Sequence, residues 1–182
     1  MANQINTTKV VTGVVRLSYA NVWEPASING GTPKYSVSLI IPKDDEKTLS
    51  AINAAIDVAI KEGAPKFGGK IPNRAALKLP LRDGYTERDD DAYKGSYFVN
   101  ANSTTAPQIV DRTVQPILDR SEVYSGCYAR VSINFYAFNT NGNRGIACGH
   151  GNIQKVKDGD PLGGKSSAAA DFASDFDDDF LS

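Results

Sequence analysis

The stretch "GCYARVSINFYAFNTNGNRGIACGH", residues 126–150, decides how this chain folds. From Cys127 to Ala137 it alternates without a fault. Cys127, Ala129, Val131, Ile133, Phe135 and Ala137 fall on one face of an extended chain, and Tyr128, Arg130, Ser132, Asn134 and Tyr136 on the other. Side chains of a strand point alternately to its two faces, so the first set predicts a core and the second a solvent-facing surface. Residues 144–156, "RGIACGHGNIQKV", are strand-like again, and Asn141-Gly142 between the runs is the pair that tolerates positive φ at both turn positions. The whole reads as a long antiparallel hairpin. With that turn setting the register, Cys148 lies opposite about Phe135 and Cys127 far along the sheet, beyond the roughly 7 Å Cα separation a disulfide tolerates. The two cysteines are therefore read as small buried apolar residues, not as a disulfide or a metal site.

Upstream, residues 10–23, "VVTGVVRLSYANVW", have the β-branched and aromatic composition of a long strand, with Gly13 marking a bulge or sharp bend. Residues 27–33, "SINGGTP", are turn chemistry. In residues 34–43 Tyr35, Val37, Leu39 and Ile41 share one face and Lys34, Ser36 and Ser38 the other. One helix is predicted over residues 44–63, with Asp44 and Asp45 as capping candidates, Gly63 as its stop and Leu49, Ile52, Ile56 and Ala59 as its apolar stripe. Residues 64–94 read as a long irregular segment containing a short extended piece, and residues 96–101 as another strand. About five strands, one helix and no βαβ alternation predict a mainly β protein: a small, partly open antiparallel barrel of the OB-fold type, with one inter-strand helix and long loops. Residues 1–158 form this domain; residues 159–182 are a flexible linker and an acidic tail.

The tail, "DFASDFDDDFLS", holds five of the 21 acidic residues and none of the 20 basic ones, so the first 170 residues carry 20 basic against 16 acidic groups, a net charge of +4. A basic body tied to an acidic tail points to a polyanionic partner. The outer face of the 126–138 run fits such a partner, because aromatics offer stacking to bases and arginine offers charge to phosphates. The candidate nucleic-acid-binding residues are Tyr128, Arg130, Asn134 and Tyr136, joined by Arg16, Tyr19 and Trp23 on the first strand, Lys34 on the second, and Lys78 and Arg82 in the irregular segment. The tail residues Asp175, Phe176, Asp177, Asp178, Asp179 and Phe180 are candidates for holding a protein partner.

Catalysis finds little support. Asp89, Asp90 and Asp91 lack the spacing of a calcium loop, His150 has no nucleophile arranged with it, and Gly163-Gly164-Lys165 lacks the frame of a phosphate loop. No cofactor or metal is expected. The N-terminus has no charged segment followed by an apolar run, and no run approaches the roughly 18 apolar residues needed to cross a bilayer. A cytoplasmic protein with no membrane partner is expected.

Several stretches resemble a known family. "RLSYANVWEP", "GGTPKYSVSLIIPK", "LPLRDG", "SYFVNANS", "YSGCYARVSINFYAFNTNGNRGIACG" and "NIQKVKDGDPLGG" occur in the order found in single-stranded DNA-binding proteins of tailed phages, from about Arg16 to Gly164. The resemblance implies an OB-fold, binding of single-stranded DNA with little sequence preference, and work in phage replication or recombination in the host cell. The tail is similar to those of bacterial single-stranded DNA-binding proteins, although it ends Phe180-Leu181-Ser182 where those end in a proline-phenylalanine pair. The leading expectation is a non-enzymatic DNA-coating protein whose tail competes with DNA and recruits replication or recombination proteins. The alternatives are a structural phage β-barrel whose tail mediates assembly and, further off, a nucleotide-processing enzyme using Asp89–Asp91 and His150. Homo-oligomerisation is left open.

Overall fold

The hairpin forms as its alternation requires. In the computed structural model, which describes residues 7–27, 30–87 and 91–162, β7 (Tyr128–Thr140) and β8 (Asn143–Lys157) pair antiparallel, with Phe135 opposite Cys148 and Tyr136 opposite Ala147. Asn141 and Gly142 both take positive φ, 52° and 87°, the geometry that matches the twist of two hairpin strands. Every second residue of β7 from Ala129 to Ala137 is buried.

Around this hairpin the other strands close a ring. The elements in chain order are β1 (Lys9–Val11), β2 (Val15–Ala26), β3 (Lys34–Pro42), α1 (Glu46–Glu62), β4 (Leu81–Asp83), α2 (Gly84–Glu87), β5 (Ser96–Ser103), β6 (Ile109–Val110), β7 and β8. β2 pairs with β3, β3 with β5, β5 with β8 and β7 with β2, so the path β2–β3–β5–β8–β7 returns to β2. The β5–β8 seam is narrow: it is parallel and rests on one pair, Asn102 with Gly149. β4 adds to the free edge of β5, and β6 to that of β8. This is the mainly β, OB-like arrangement expected, with the helix between the second and third strands of the ring.

The expected first strand is two strands. Pairing stops at Gly13, where the backbone N–H donates to the Thr48 hydroxyl (2.9 Å) and an added Cβ would lie 3.1 Å from Asp45 and Thr48. The chain bends here to meet the helix start. Asp45 is the N-cap and its carboxylate accepts from the Thr48 N–H (3.2 Å). The helix buries Ile52, Ala55, Ile56, Ala59 and Ile60 in the same core as Leu17, Leu39, Val99, Phe135 and Ile153. β6 was not legible in the sequence, because two residues carry no periodicity. It folds back on Pro116 and Ile117 through a tight loop ordered by the Asp111 carboxylate.

The segment read as irregular contains β4, α2 and several short turns, and it does structural work. Tyr93 is fully buried against Phe98 in an edge-to-face contact (5.1 Å, 88°), and its hydroxyl meets Ser38 Oγ (2.9 Å). Ile40 completes a second apolar cluster, on the outside of the ring, with Ala92 and Leu162 packed at its margin. Residues 159–162, read as the start of the linker, are thus laid on the body. Gly159 N–H donates to the Tyr124 hydroxyl and Leu162 N–H to the Ser125 carbonyl.

Both cysteines are buried free thiols, as the register predicts. Burial is the cause that pushes both above the usual thiol range. Two thiols are expected to react with an aromatic disulfide reagent after denaturation and neither, on a minutes timescale, in the native protein; a count of zero after denaturation without reductant contradicts the fold. Among the described residues no helix is long and apolar enough to cross a membrane.

Candidate nucleic-acid interface

The outer face of β7 carries Tyr128, Arg130, Ser132, Asn134 and Tyr136, as the alternation requires, but the fold treats its two ends differently. At the start of β7 the side chains are engaged. Tyr128 lies between two cations, the Arg16 guanidinium (5.5 Å to the ring centroid) and the Lys157 ammonium (4.9 Å). Its ring also lies against Gly159, where an added Cβ would come within 2.7 Å of it. Arg16 donates to the Gly126 and Asp160 carbonyls (3.1 and 2.7 Å), and Arg130 donates to the Thr12 carbonyl (3.1 Å). Gly126 permits this closure: its φ is +117° and a Cβ there would lie 2.1 Å from the Asp160 carbonyl oxygen. Residues 158–162 therefore form a strap across Arg16 and Tyr128. The Lys155 ammonium and the Tyr124 hydroxyl hold the Asp158 carboxyl at the strap's base below its ordinary range. Trp23 is also taken up, half-buried against the core with its indole N–H on the Val123 carbonyl (3.0 Å).

The hairpin end of β7 is open. Asn134 accepts a hydrogen bond from the Thr8 hydroxyl (2.8 Å), but Tyr136 stands 42% exposed. Beneath the Tyr136 ring, β8 presents Gly149, whose hypothetical Cβ lies 3.8 Å from the ring and 3.4 Å from the Asn102 carbonyl. Small side chains here keep the floor flat. Beside it, where β5 and β8 diverge from their single pair, a cleft of about 180 Å³ opens between Lys78, Arg82, Asn100, Asn102, Phe138 and Ala147. Lys78 is fixed at its rim by backbone bonds to both sides of Gly145, its N–H to the Arg144 carbonyl and its carbonyl to the Ile146 N–H. The two cations are only lightly tied, Lys78 to Asn143 (3.3 Å) and Arg82 to Glu87 (3.7 Å). Exposed contacts of this kind contribute little and yield readily to a better anion.

Lys34 and Ser36 continue this face onto β3, with Ser36 opposite Asn102. Tyr19 joins it through a bulge. Two residues, Tyr19 and Ala20, stand between the Ser18–Ser38 and Asn21–Ser36 pairs where one faces them on β3, and Tyr19 takes a φ of +46° and is 57% exposed. A bulge re-aims a side chain, and here it turns an aromatic ring outward. The structure thus gathers Tyr19, Lys34, Lys78, Arg82 and Tyr136 of the expected residues around one face. Arg16, Trp23 and Tyr128 are half-buried and engaged with neighbouring residues, while Arg130 is exposed and donates to the Thr12 carbonyl. Asn100, Asn102 and Phe138 were missed. Phe138 simply extends the alternation of Tyr136, and the two asparagines alternate with buried Val99 and Ala101.

The tail residues Asp175, Phe176, Asp177, Asp178, Asp179 and Phe180, with Asp89 and Asp90, lie outside the described residues. Asp91 pairs with Lys94 (3.0 Å). His150 is buried at the β5–β8 seam with Nε2 donating to the Tyr35 carbonyl (3.0 Å).

A closed strand ring with an open aromatic, amide and cationic outer face defines a mainly β protein of the OB-like class. The chain belongs to the family described as Enterobacter phage Enc34, ssDNA-binding protein, whose sequence model matches residues 8–181. It is 30% identical to protein p50 of Acyrthosiphon pisum secondary endosymbiont phage 1 over 93% of both chains. Its fold is similar to that of the single-stranded DNA-binding protein of bacteriophage Enc34, solved in complex with ssDNA, with a TM-score of 0.75 and 24% identity over 86% of this chain and 90% of that one. It is also similar to gp2.5, a single-stranded DNA-binding protein of bacteriophage T7, with a TM-score of 0.61 and 13% identity over 92% and 94% of the two chains.

Proposed function

We propose that this protein binds single-stranded DNA along the outer face of β3, β5 and the β7–β8 hairpin, and that it coats DNA during phage replication or recombination. The observation that carries the reading is the convergence of Tyr136, Phe138, Lys78 and Arg82 around one open groove. OB-folds bind oligonucleotides on the face of their second and third strands and on the loops flanking it, which here are β3, β5, the β2–β3 connection and the Asn141-Gly142 turn. Exposed rings take bases at about 1–3 kcal/mol each, and the cations follow the phosphates.

The acidic tail acts as a competitor for this groove, its aspartates in place of phosphates and its phenylalanines in place of bases. The described chain ends at Leu162, packed on Ile40, Tyr93 and Phe98, on the same outer face as Asn100 and Asn102. From there eight residues, 163–170, join the body to the tail, and so short a tether gives the tail a high local concentration at the groove. DNA displaces it and frees it for a replication or recombination protein.

An anisotropy titration with a single-stranded oligonucleotide and its duplex, over a salt series, tests both parts. The chain is expected to prefer the single strand, with log K falling linearly in log salt at about −0.7 per phosphate neutralised. Deleting residues 171–182 is expected to strengthen binding, most at low salt. Equal affinity for single strand and duplex refutes the groove; equal affinity with and without the tail at every salt refutes the competition.

A further inference from the structure

The turn between β7 and β8 sets an electrophile beside a nucleophile, and nothing among the described residues engages either. Asn141 and Gly142 are both exposed, and apart from the chain neighbours no atom lies within 4 Å of the place a Gly142 Cβ would take. Among the described residues neither the Asn141 side-chain amide nor the Gly142 N–H makes a hydrogen bond. The asparagines on either side differ. Asn139 donates to the Lys66 carbonyl (2.9 Å) and Asn143 accepts from the Lys78 ammonium (3.3 Å). Each is also followed by a residue with a side chain, Thr140 and Arg144. Asparagine is thermolabile because the backbone nitrogen that follows it attacks the side-chain carbonyl carbon, closing a five-membered ring. A following glycine favours this most, since its nitrogen is uncrowded and its backbone turns freely.

We infer that Asn141 is a site of spontaneous deamidation and that its conversion weakens the hold of the groove on DNA. The Gly142 nitrogen gives its proton to solvent base and bonds to the Asn141 side-chain carbonyl carbon. The carbon–nitrogen bond of the side-chain amide breaks, ammonia leaves, and a cyclic imide remains. Water then opens the imide. Opening at the former side-chain carbonyl leaves aspartate; opening at the main-chain carbonyl leaves isoaspartate, whose backbone runs through the side chain and is one methylene longer. Aspartate followed by glycine suits the same turn, so that product keeps the hairpin. It places a carboxylate next to Asn143 and the Lys78 ammonium, at the edge of the groove where phosphates pass. Isoaspartate lengthens a two-residue loop, which then no longer holds Thr140 opposite Asn143. The effect on DNA rests on the proposed binding in the groove; the chemistry of the turn does not.

The full chain is aged in warm, mildly alkaline buffer, beside a sample aged in urea, and then digested. Mass spectrometry with fragmentation locates the modified residue, and an isoaspartate methyltransferase labels the isoaspartate. Deamidation is expected at Asn141 in the folded chain, at a rate comparable to that in urea, and not at Asn139 or Asn143. Asn29-Gly30, the other such pair, falls in a separate peptide. In anisotropy titrations the aged chain is expected to bind single-stranded DNA about twofold or more weakly than the fresh one at low salt, and Asn141→Asp to lose about twofold by charge alone. Asn141→Gly removes the amide and keeps a turn-forming pair; aged, it is expected to match its own fresh sample. Deamidation in urea but not in the folded chain overturns the inference, because the fold then holds the turn against attack. Deamidation with unchanged affinity overturns the effect on the groove. Failure of the fresh chain to bind single-stranded DNA overturns the groove reading and leaves the deamidation standing.

Discussion

Replacing Tyr136 and Phe138 together by alanine is expected to weaken single-stranded DNA binding by about 2 kcal/mol or more, roughly thirtyfold, from about 1–3 kcal/mol for each base that loses its aromatic partner. Both rings lie at the hairpin end of β7, one 42% exposed over Gly149 and the other walling the cleft. Tyr128→Ala gives the contrast. That ring sits on the same strand face but is clamped by Arg16, Lys157 and the strap at Gly159. Its loss is expected to lower the melting temperature and to leave affinity within about twofold, far below what a stacked base contributes. Anisotropy titrations paired with thermal melts separate the two. If Tyr128→Ala weakens binding as much as the double substitution does, the groove follows the start of β7 and has been placed at the wrong end.

The second large effect is on stability. Tyr93→Ala is expected to cost about 3–5 kcal/mol, the range for aromatic truncation in a packed interior. The residue is fully buried, makes an edge-to-face contact with Phe98 and satisfies the buried Ser38 hydroxyl, so truncation leaves both a cavity and an unpaired polar group. Tyr93→Phe keeps the ring and is expected to cost only about 1 kcal/mol. Urea unfolding of the two variants measures the difference. Because this cluster lies outside the ring, limited proteolysis is expected to cut Tyr93→Ala first within residues 84–95, beside the groove. A loss below about 1 kcal/mol for Tyr93→Ala means that the segment is not anchored there.

Much of the fold was legible because its elements obey simple periods. The alternation of residues 127–137 and 35–41 identified the buried faces, and the Asn-Gly turn set the register that places Phe135 opposite Cys148. The helix was bounded by its cap chemistry, and Asp45 caps it. The break at Gly13 was marked only as a bend, because what splits the strand is a contact with Thr48, 35 residues away. β6 and the anchoring of Tyr93 carried no local signal.

For the groove, the division is sharper. The sequence by itself determined which side chains leave the core: a strand's period of two is local, and it put Tyr128, Arg130, Asn134 and Tyr136 on the outer face of β7 whatever the rest of the chain did. It also determined the charge split between body and tail. Which of those outward side chains stay open was decided by tertiary structure alone. The strap at residues 158–162 closes over Tyr128 and Arg16 because Gly126, more than 30 residues earlier, lets the backbone approach. The cleft exists because β5 and β8 touch at one pair and then separate, bringing Lys78, Arg82, Asn102 and Phe138 to one place. Exposure of an outward side chain depends on what the remainder of the chain lays across it, and such long-range packing leaves no trace in local periodicity.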